Sequence, residues 1–226
     1  MTTQKNFAQN IISFYKNLKF NYSLPAGIEV MNPIKNKTTF DLFTQFYTKY
    51  YNDDSKRVFI FGINPGRFGA GLTGVPFTDP TKLKEICGID NNLSNKKELS
   101  AEFVYKVIAA YGGNDVFYSK FYITAVSPLG FIQDSVNVNY YDDKGLQEML
   151  TPFIIKSIKK QLKFGVIRSH AICFGNGKNF NYLNKLNDKY AFFEKIIPIE
   201  HPRFIMQYKR KKLDEYVDKY LEMLLK

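Results

Sequence analysis

The chain has no tryptophan, and only two cysteines and two histidines among its 226 residues. Cys87 and Cys173 stand far apart and lack the short spacings of zinc or iron–sulfur ligands. The sequence therefore predicts neither a metal centre nor a cofactor bound through one. No apolar run approaches the roughly 20 residues of a membrane span, and no apolar core follows Met1–Asn6 as in a secretory leader. The expectation is a soluble protein of a reducing compartment with no membrane partner. There is no internal repeat and no low-complexity linker. Gly-Lys-Ser/Thr is also missing, which excludes a Walker phosphate loop.

What the chain does have is positive charge and aromatics. Lys and Arg number 32 against 21 Asp and Glu, a formal net charge of +11, with 21 Phe and 16 Tyr. Such a balance favours a polyanionic partner, because neutralised phosphates release counterions. The length suits one large domain with a substantial core.

The most informative stretch is Val58 to Phe77. A β-rich apolar run, Val58 to Ile63, ends abruptly in Asn64-Pro65-Gly66, and further glycines follow at 69, 71 and 74. A buried strand that delivers a carboxamide into a glycine-lined bend builds a pocket floor where backbone N–H groups approach a small ligand. Pro76 and Phe77 add a rigid corner and an aromatic face, so the segment reads as a site for a flat heterocycle. Gly69-Ala-Gly71-Leu-Thr-Gly74 does satisfy the dinucleotide fingerprint, but its context fails. The first glycine is displaced from the strand end, and Pro76 falls where a helix would need its donors.

Along the chain, helical spacing marks Asn6–Leu18, Thr38–Tyr51, Leu99–Tyr111, Lys144–Phe164, Lys178–Leu186 and Gln207–Leu225. Thr78 or Asp79 caps a short helix that starts at Pro80 and ends at Gly88. Strands are expected at Arg57–Ile63, within the β-rich Val116–Val126, at His170–Phe174 and at Phe192–Ile199. Four strands separated by helices imply an α/β fold with a central four-stranded parallel sheet flanked by helices on both faces. One domain covers 1–226, with 1–52 as a helical segment packed on it. Ligands of such sheets bind beyond the carboxyl ends of the strands. Asn64, Ser127 and His201 all fall just past strand ends. His170 opens an apolar run and reads as a packed or strand-edge residue.

The segment Gly62-Ile63-Asn64-Pro65-Gly66-x-Phe68-Gly69-x-x-x-Thr73-Gly74-Val75-Pro76-Phe77 resembles the first motif of the single-strand-selective monofunctional (SMUG-type) uracil-DNA glycosylases, a branch of the uracil-DNA glycosylase superfamily. His201-Pro202-Arg203 is similar to the start of that family's second motif. Asn114–Tyr118 through Ser127–Phe131 resembles its middle strand and the loop after it. The likeness runs from Val58 to the C-terminus. It implies a base-excision DNA repair enzyme that hydrolyses the N-glycosidic bond of uracil in single- or double-stranded DNA. A bacterial, cytoplasmic and nucleoid-associated setting, and a monomer, go with it.

By the same resemblance, Asn64 positions the attacking water and His201 hydrogen-bonds O2 of the departing base. Phe77 stacks on the everted base, while Gly62, Ile63, Pro65, Gly66 and Phe68 shape the pocket. One position departs from the pattern. The family's vertebrate-type members place an asparagine three residues before Pro-Leu in the middle loop, where it reads the uracil edge; here that residue is Ala125. Alanine makes no paired donor–acceptor contact, so Ser127 or main-chain groups take over part of the recognition. A bacterial subgroup with altered pocket residues, acting also on 5-hydroxymethyluracil or xanthine, fits that change. DNA contacts are expected from Arg67, from Arg203, from the apolar wedge Phe204-Ile205-Met206, and from Lys209-Arg210-Lys211-Lys212 opening the last helix. Two alternatives follow: a weak or inactive nucleic-acid-binding module on the same fold, or a small-molecule nucleoside hydrolase.

Overall fold

The computed structural model of the chain describes residues 5–225. Helix α1 (Phe7–Lys16) opens with a reciprocal capping box. The Asn6 carboxamide accepts the Gln9 N–H at 2.9 Å, and Gln9 Oε1 accepts the Asn6 N–H at 3.1 Å. After β1 (Ile28–Met31), Asn36 caps α2 (Lys37–Tyr51). The faces of α1 and α2 carrying Phe7, Ile11, Phe43, Phe46 and Tyr47 are buried in the common core, so these two helices pack on the rest.

Strand β2 (Arg57–Gly62) is buried along its whole length, as a strand covered on both faces must be. It is followed by short helices α3 (Ala70–Thr73) and α4 (Pro80–Glu85), the latter capped by Asp79, and by α5 (Leu99–Ala110) and α6 (Asn114–Lys120). Next come β3 (Phe121–Ala125), β4 (Gly130–Gln133), β5 (Val136–Val138) and α7 (Lys144–Gln161). The chain then runs through β6 (Val166–Phe174), α8 (Lys178–Tyr190), β7 (Ile196–Ile199), α9 (Pro202–Tyr208) and α10 (Leu213–Leu224).

The central sheet is the expected parallel one, with order β3-β2-β6-β7. Its register aligns Gly62 with Ala125, Phe61 with Cys173, and Phe174 with Ile199. The carboxyl ends of all four strands therefore open at one edge, and Asn64 and His201 each lie two residues beyond their strand ends. A second, antiparallel sheet of order β1-β4-β5 was not expected. It lies against the Asn64-Pro65-Gly66 bend: a Cβ at Gly130 would collide with Met31 and the Pro65 carbonyl. These strands are short and half exposed, so their alternation spans too few residues to read.

Two further expectations need correction. Within Val116–Val126, residues up to Lys120 are helical, because Phe117 and Tyr118 are buried while Val116 is exposed, a helical and not an alternating pattern. The Gln207–Leu225 helix is two helices joined by a 3-10 turn, Arg210–Lys212. The run Lys209–Lys212 thus lies outside the first turn of α10. That turn instead carries Asp214 and Glu215, which suit the helix dipole.

Beneath the far ends of the strands, Arg57 is fully buried. Its guanidinium donates to the Tyr118 carbonyl at 2.7 Å, to the Ser55 carbonyl at 2.9 Å and to both Asp53 carboxylate oxygens at 2.8 and 2.9 Å. The Phe7 and Tyr51 rings flank it at 4.6 and 4.8 Å. A buried charge needs this degree of compensation.

Candidate active site

A cavity of about 440 Å³ opens at the carboxyl edge of the parallel sheet. Its wall brings together Gly62 to Gly66, Phe77, Ala125 and His201, contributed by segments far apart in the chain. Asn64 stands half-buried at the end of β2 with its amide fully oriented. Nδ2 donates to the Val138 carbonyl at 3.3 Å and the Pro65 carbonyl at 3.4 Å, and Oδ1 accepts the Tyr140 N–H at 3.1 Å. Both amide protons are committed, so only an oxygen lone pair remains to hold a water.

His201 is the N-cap of α9. Its Nδ1 accepts the Arg203 N–H at 3.1 Å, which uses the lone pair of that nitrogen. A neutral ring in this setting carries its proton on Nε2, as a donor. Burial, with the Arg203 cation adding to it, pushes the pKa down to about 4, so the ring is neutral at physiological pH.

Phe77 packs edge-on to Phe174, with centroids 5.4 Å apart, and lies 5.8 Å from the His201 ring. Its backbone sits at φ 52°, a left-handed conformation uncommon for a bulky residue. The surrounding turn holds it there: the Thr73 hydroxyl donates to the Thr78 carbonyl at 2.7 Å and accepts the Val75 N–H at 3.1 Å. Gly62 makes room for the ring, since a Cβ at 62 would stand 3.0 Å from Phe77 Cε2.

Other expected site residues fall elsewhere. Ser127 is fully buried, does not line the cavity, and donates its hydroxyl to the Leu129 carbonyl at 2.8 Å. It is therefore unavailable to read a base. Phe68 is 39% exposed and turned away from the cavity, under the Arg67 guanidinium at 4.5 Å and the Lys96 ammonium at 5.7 Å. Arg67 itself is tied to the β4–β5 hairpin: its N–H donates to Asn137 Oδ1 at 3.1 Å, and its guanidinium meets the Ser135 carbonyl. Ile205 and Met206 are buried against the core and offer no wedge atoms, because the apolar face of α9 turns inward. Phe204 and Tyr208 are the exposed aromatic pair on that helix, their rings tilted at 44° with centroids 5.3 Å apart, on the cavity rim with Arg203. Lys209 to Lys212 are all exposed. Of these, Arg210 meets Glu102 at 3.3 Å and Lys212 meets Glu215 at 3.1 Å.

Several cavity residues were not anticipated. Asn137 and Asn139, from β5 and the turn after it, face the cavity, and Asn137 Nδ2 stands 3.5 Å from where a Gly66 Cβ would be. The alternation Val136-Asn137-Val138-Asn139 was the available signal. Glu98, at the N-cap position of α5, also lines the wall. Its Oε2 is buried without a hydrogen-bond partner among the described residues. Burial first, and the Asp79 carboxylate second, push its pKa up to about 7 against the opposing Arg203 cation. No spacing in the sequence pointed to it. A second cavity adjoins the first through Ile63, Tyr141, His201 and Phe204, and the uncapped start of α8, Gly175-Asn176-Gly177-Lys178, lines its far side.

Comparison with known proteins identifies the family. Residues 48–225 match the model of the uracil DNA glycosylase superfamily. Among solved structures, wild-type SMUG2 of Pedobacter heparinus is similar at 45% sequence identity and a TM-score of 0.94, covering 97% of each chain. No curated protein sequence matches. Among the described residues, no helix is long and apolar enough to cross a membrane, and no cluster of His, Cys, Asp and Glu is suited to a metal ion. With its family matched over most of its length and its structural relative matched over nearly all of it, the chain belongs to the uracil DNA glycosylase superfamily.

Proposed function

We propose that the chain is a monofunctional DNA glycosylase that removes uracil, and related bases such as 5-hydroxymethyluracil or xanthine, from DNA. The observation that carries this reading is the pairing of Asn64 and His201 in one cavity with complementary hydrogen-bonding states. Asn64 presents an oriented acceptor for a water. His201 presents a neutral Nε2–H donor, set by the Arg203 N–H on Nδ1.

Cleaving an N-glycosidic bond leaves an oxocarbenium-like sugar and an anionic base. A donor aimed at the developing base anion contributes about 2–4 kcal/mol to the transition state. Phe77 offers a stacking face worth roughly 1–3 kcal/mol to an everted base. No lysine is among the described residues lining the cavity, which favours water over an amine nucleophile. Ala125 leaves the end of β3 without a carboxamide, and Asn137 and Asn139 are the amides positioned to read a base edge instead. Recognition by a hairpin in place of a core strand fits a broader set of bases. The exposed Phe204, Tyr208 and Arg203 at the rim, with Lys209 to Lys212 beyond, form the surface toward DNA.

The test is base release from uracil-containing single- and double-stranded oligonucleotides under single-turnover conditions, followed by alkali. Strand breaks that appear only after alkali are expected. Binding without any release at stoichiometric enzyme would instead identify a nucleic-acid-binding module on this fold.

A further inference from the structure

The water that bonds to the sugar must give up a proton, and neither Asn64 nor His201 is suited to take it. Asn64 is an amide, a very weak base, and its Oδ1 already accepts the Tyr140 N–H. His201 has Nδ1 occupied by the Arg203 N–H and carries its own proton on Nε2. Tyr141, also on the wall, is a phenol pushed up to about 12 by burial. Among the described residues that line the cavity, Glu98 is the sole carboxylic acid.

We propose that Glu98 is a catalytic residue of this site, the acceptor of the proton that the attacking water gives up. The inference rests on the glycosylase reading above. Glu98 Oε1 lies 3.7 Å from the point where a Gly66 Cβ would stand, beside Asn137 Nδ2 at 3.5 Å from the same point. That wall is two residues from Asn64. Oε2 is sealed from solvent and has no hydrogen-bond partner among the described residues, so the carboxylate is poorly solvated and ready to take a proton.

Gly69 explains how the group fits: any Cβ there would overlap Glu98 Oε2, so the motif's glycine clears the space the carboxyl occupies. The charged and titratable groups around it are few. Asp79, the N-cap of α4, accepts the Glu98 N–H through Oδ2 at 3.1 Å and disfavours ionisation. Arg203 on α9 favours it, and His201 is neutral. The resulting balance near pH 7 is where a general base is most effective.

The step balances as follows. The C1′–N bond breaks with its electron pair leaving on the base, whose anion receives the His201 Nε2–H hydrogen bond. A water lone pair bonds to C1′, its O–H proton passes to Glu98 Oε1, and the acid later returns that proton to solvent.

Single-turnover base release measured against pH tests the assignment. The wild-type rate is expected to rise with pH through a one-proton step near 7 to a plateau. Glu98→Gln, nearly isosteric, should lower the plateau by about 100-fold or more and remove the step. Gly69→Ala, which displaces the carboxyl without removing it, should lower the plateau as well. A Glu98→Gln enzyme with the wild-type plateau, or with a lower rate but the same step, overturns the proposal while leaving the glycosylase reading intact. A wild-type protein that releases no base overturns both. Carbon-13 titration of the wild-type carboxyl groups needs no variant to fold: a Glu98 resonance titrating near 4.3, as an ordinary Glu does, overturns the proposal on its own.

Discussion

His201 does two separable things, and one pair of substitutions divides them. Its Nδ1 caps α9 by accepting the Arg203 N–H at 3.1 Å, and its Nε2–H faces the cavity as the proposed donor to the leaving base. His201→Ala removes both. Loss of the donor should cost about 2–4 kcal/mol of transition-state stabilisation, or about 30- to 900-fold in single-turnover rate. Loss of the cap should cost about 1 kcal/mol of stability, which in a chain of this size lowers Tm by about 2–4 °C. His201→Asn restores a strong capping side chain, but its amide ends short of the position of Nε2. Stability should therefore return toward wild type while the rate stays low. Thermal unfolding followed by circular dichroism, with quenched base-release assays on a uracil oligonucleotide, measures both. Should the Asn variant recover rate together with stability, the histidine is only a helix cap and the electrostatic argument fails.

The same histidine makes stability depend on pH. Its folded pKa of about 4 lies below the ordinary value of 6.5, so between these the unfolded chain binds more protons and stability rises with pH. Acidification from about pH 6.5 to 4 should remove at most about 3 kcal/mol through this group, and urea melts of His201→Asn should show a flatter dependence there. Arg57→Met deletes the buried cation but leaves Asp53 partly in solvent, with its side chain 44% exposed. The Tyr118 and Ser55 carbonyls lose their donor, which costs about 1–3 kcal/mol, read as a lower urea midpoint; a change below about 0.5 kcal/mol would mean the network is dispensable. Lys209 and Lys211, unlike Arg210 and Lys212, have no ion-pair partner among the described residues. Replacing both with Gln should reduce the slope of log affinity against log salt by up to about 2, measured by fluorescence anisotropy with a DNA oligonucleotide. An unchanged slope removes them from the interface.

Much of this was legible in the linear chain because the signals are local. Asn64-Pro65-Gly66 had to be a bend after a buried strand, since proline and glycine end β2 abruptly. Asp79-Pro80 had to open a helix, and Asp79 indeed accepts the Lys82 N–H at 2.8 Å. The parallel direction of the four central strands followed from their alternation with helices; their order across the sheet, β3-β2-β6-β7, did not. The failures share a cause. Ile205 and Met206 looked like a wedge because a run of apolar residues after a histidine carries no label saying which face of α9 turns inward. Ser127 looked like a reader of bases because its hydroxyl is chemically able, and only the fold shows that hydroxyl bonded to Leu129. The Lys209–Lys212 run looked like the start of a helix because no proline or glycine marks the break at Lys209.

The amino-acid sequence by itself determined most of the helices, the parallel sheet and the pair of residues, Asn64 and His201, placed past its strand ends. Those properties depend on residue type and on spacing along one stretch of chain. Only the tertiary structure decided that Glu98, Asn137 and Asn139 join the same cavity, that Phe68 and Ser127 do not, and that His201 is a neutral donor. Convergence of distant segments, and the protonation state that burial and one backbone N–H impose on a ring, depend on neighbours far away along the chain and so have no local signature.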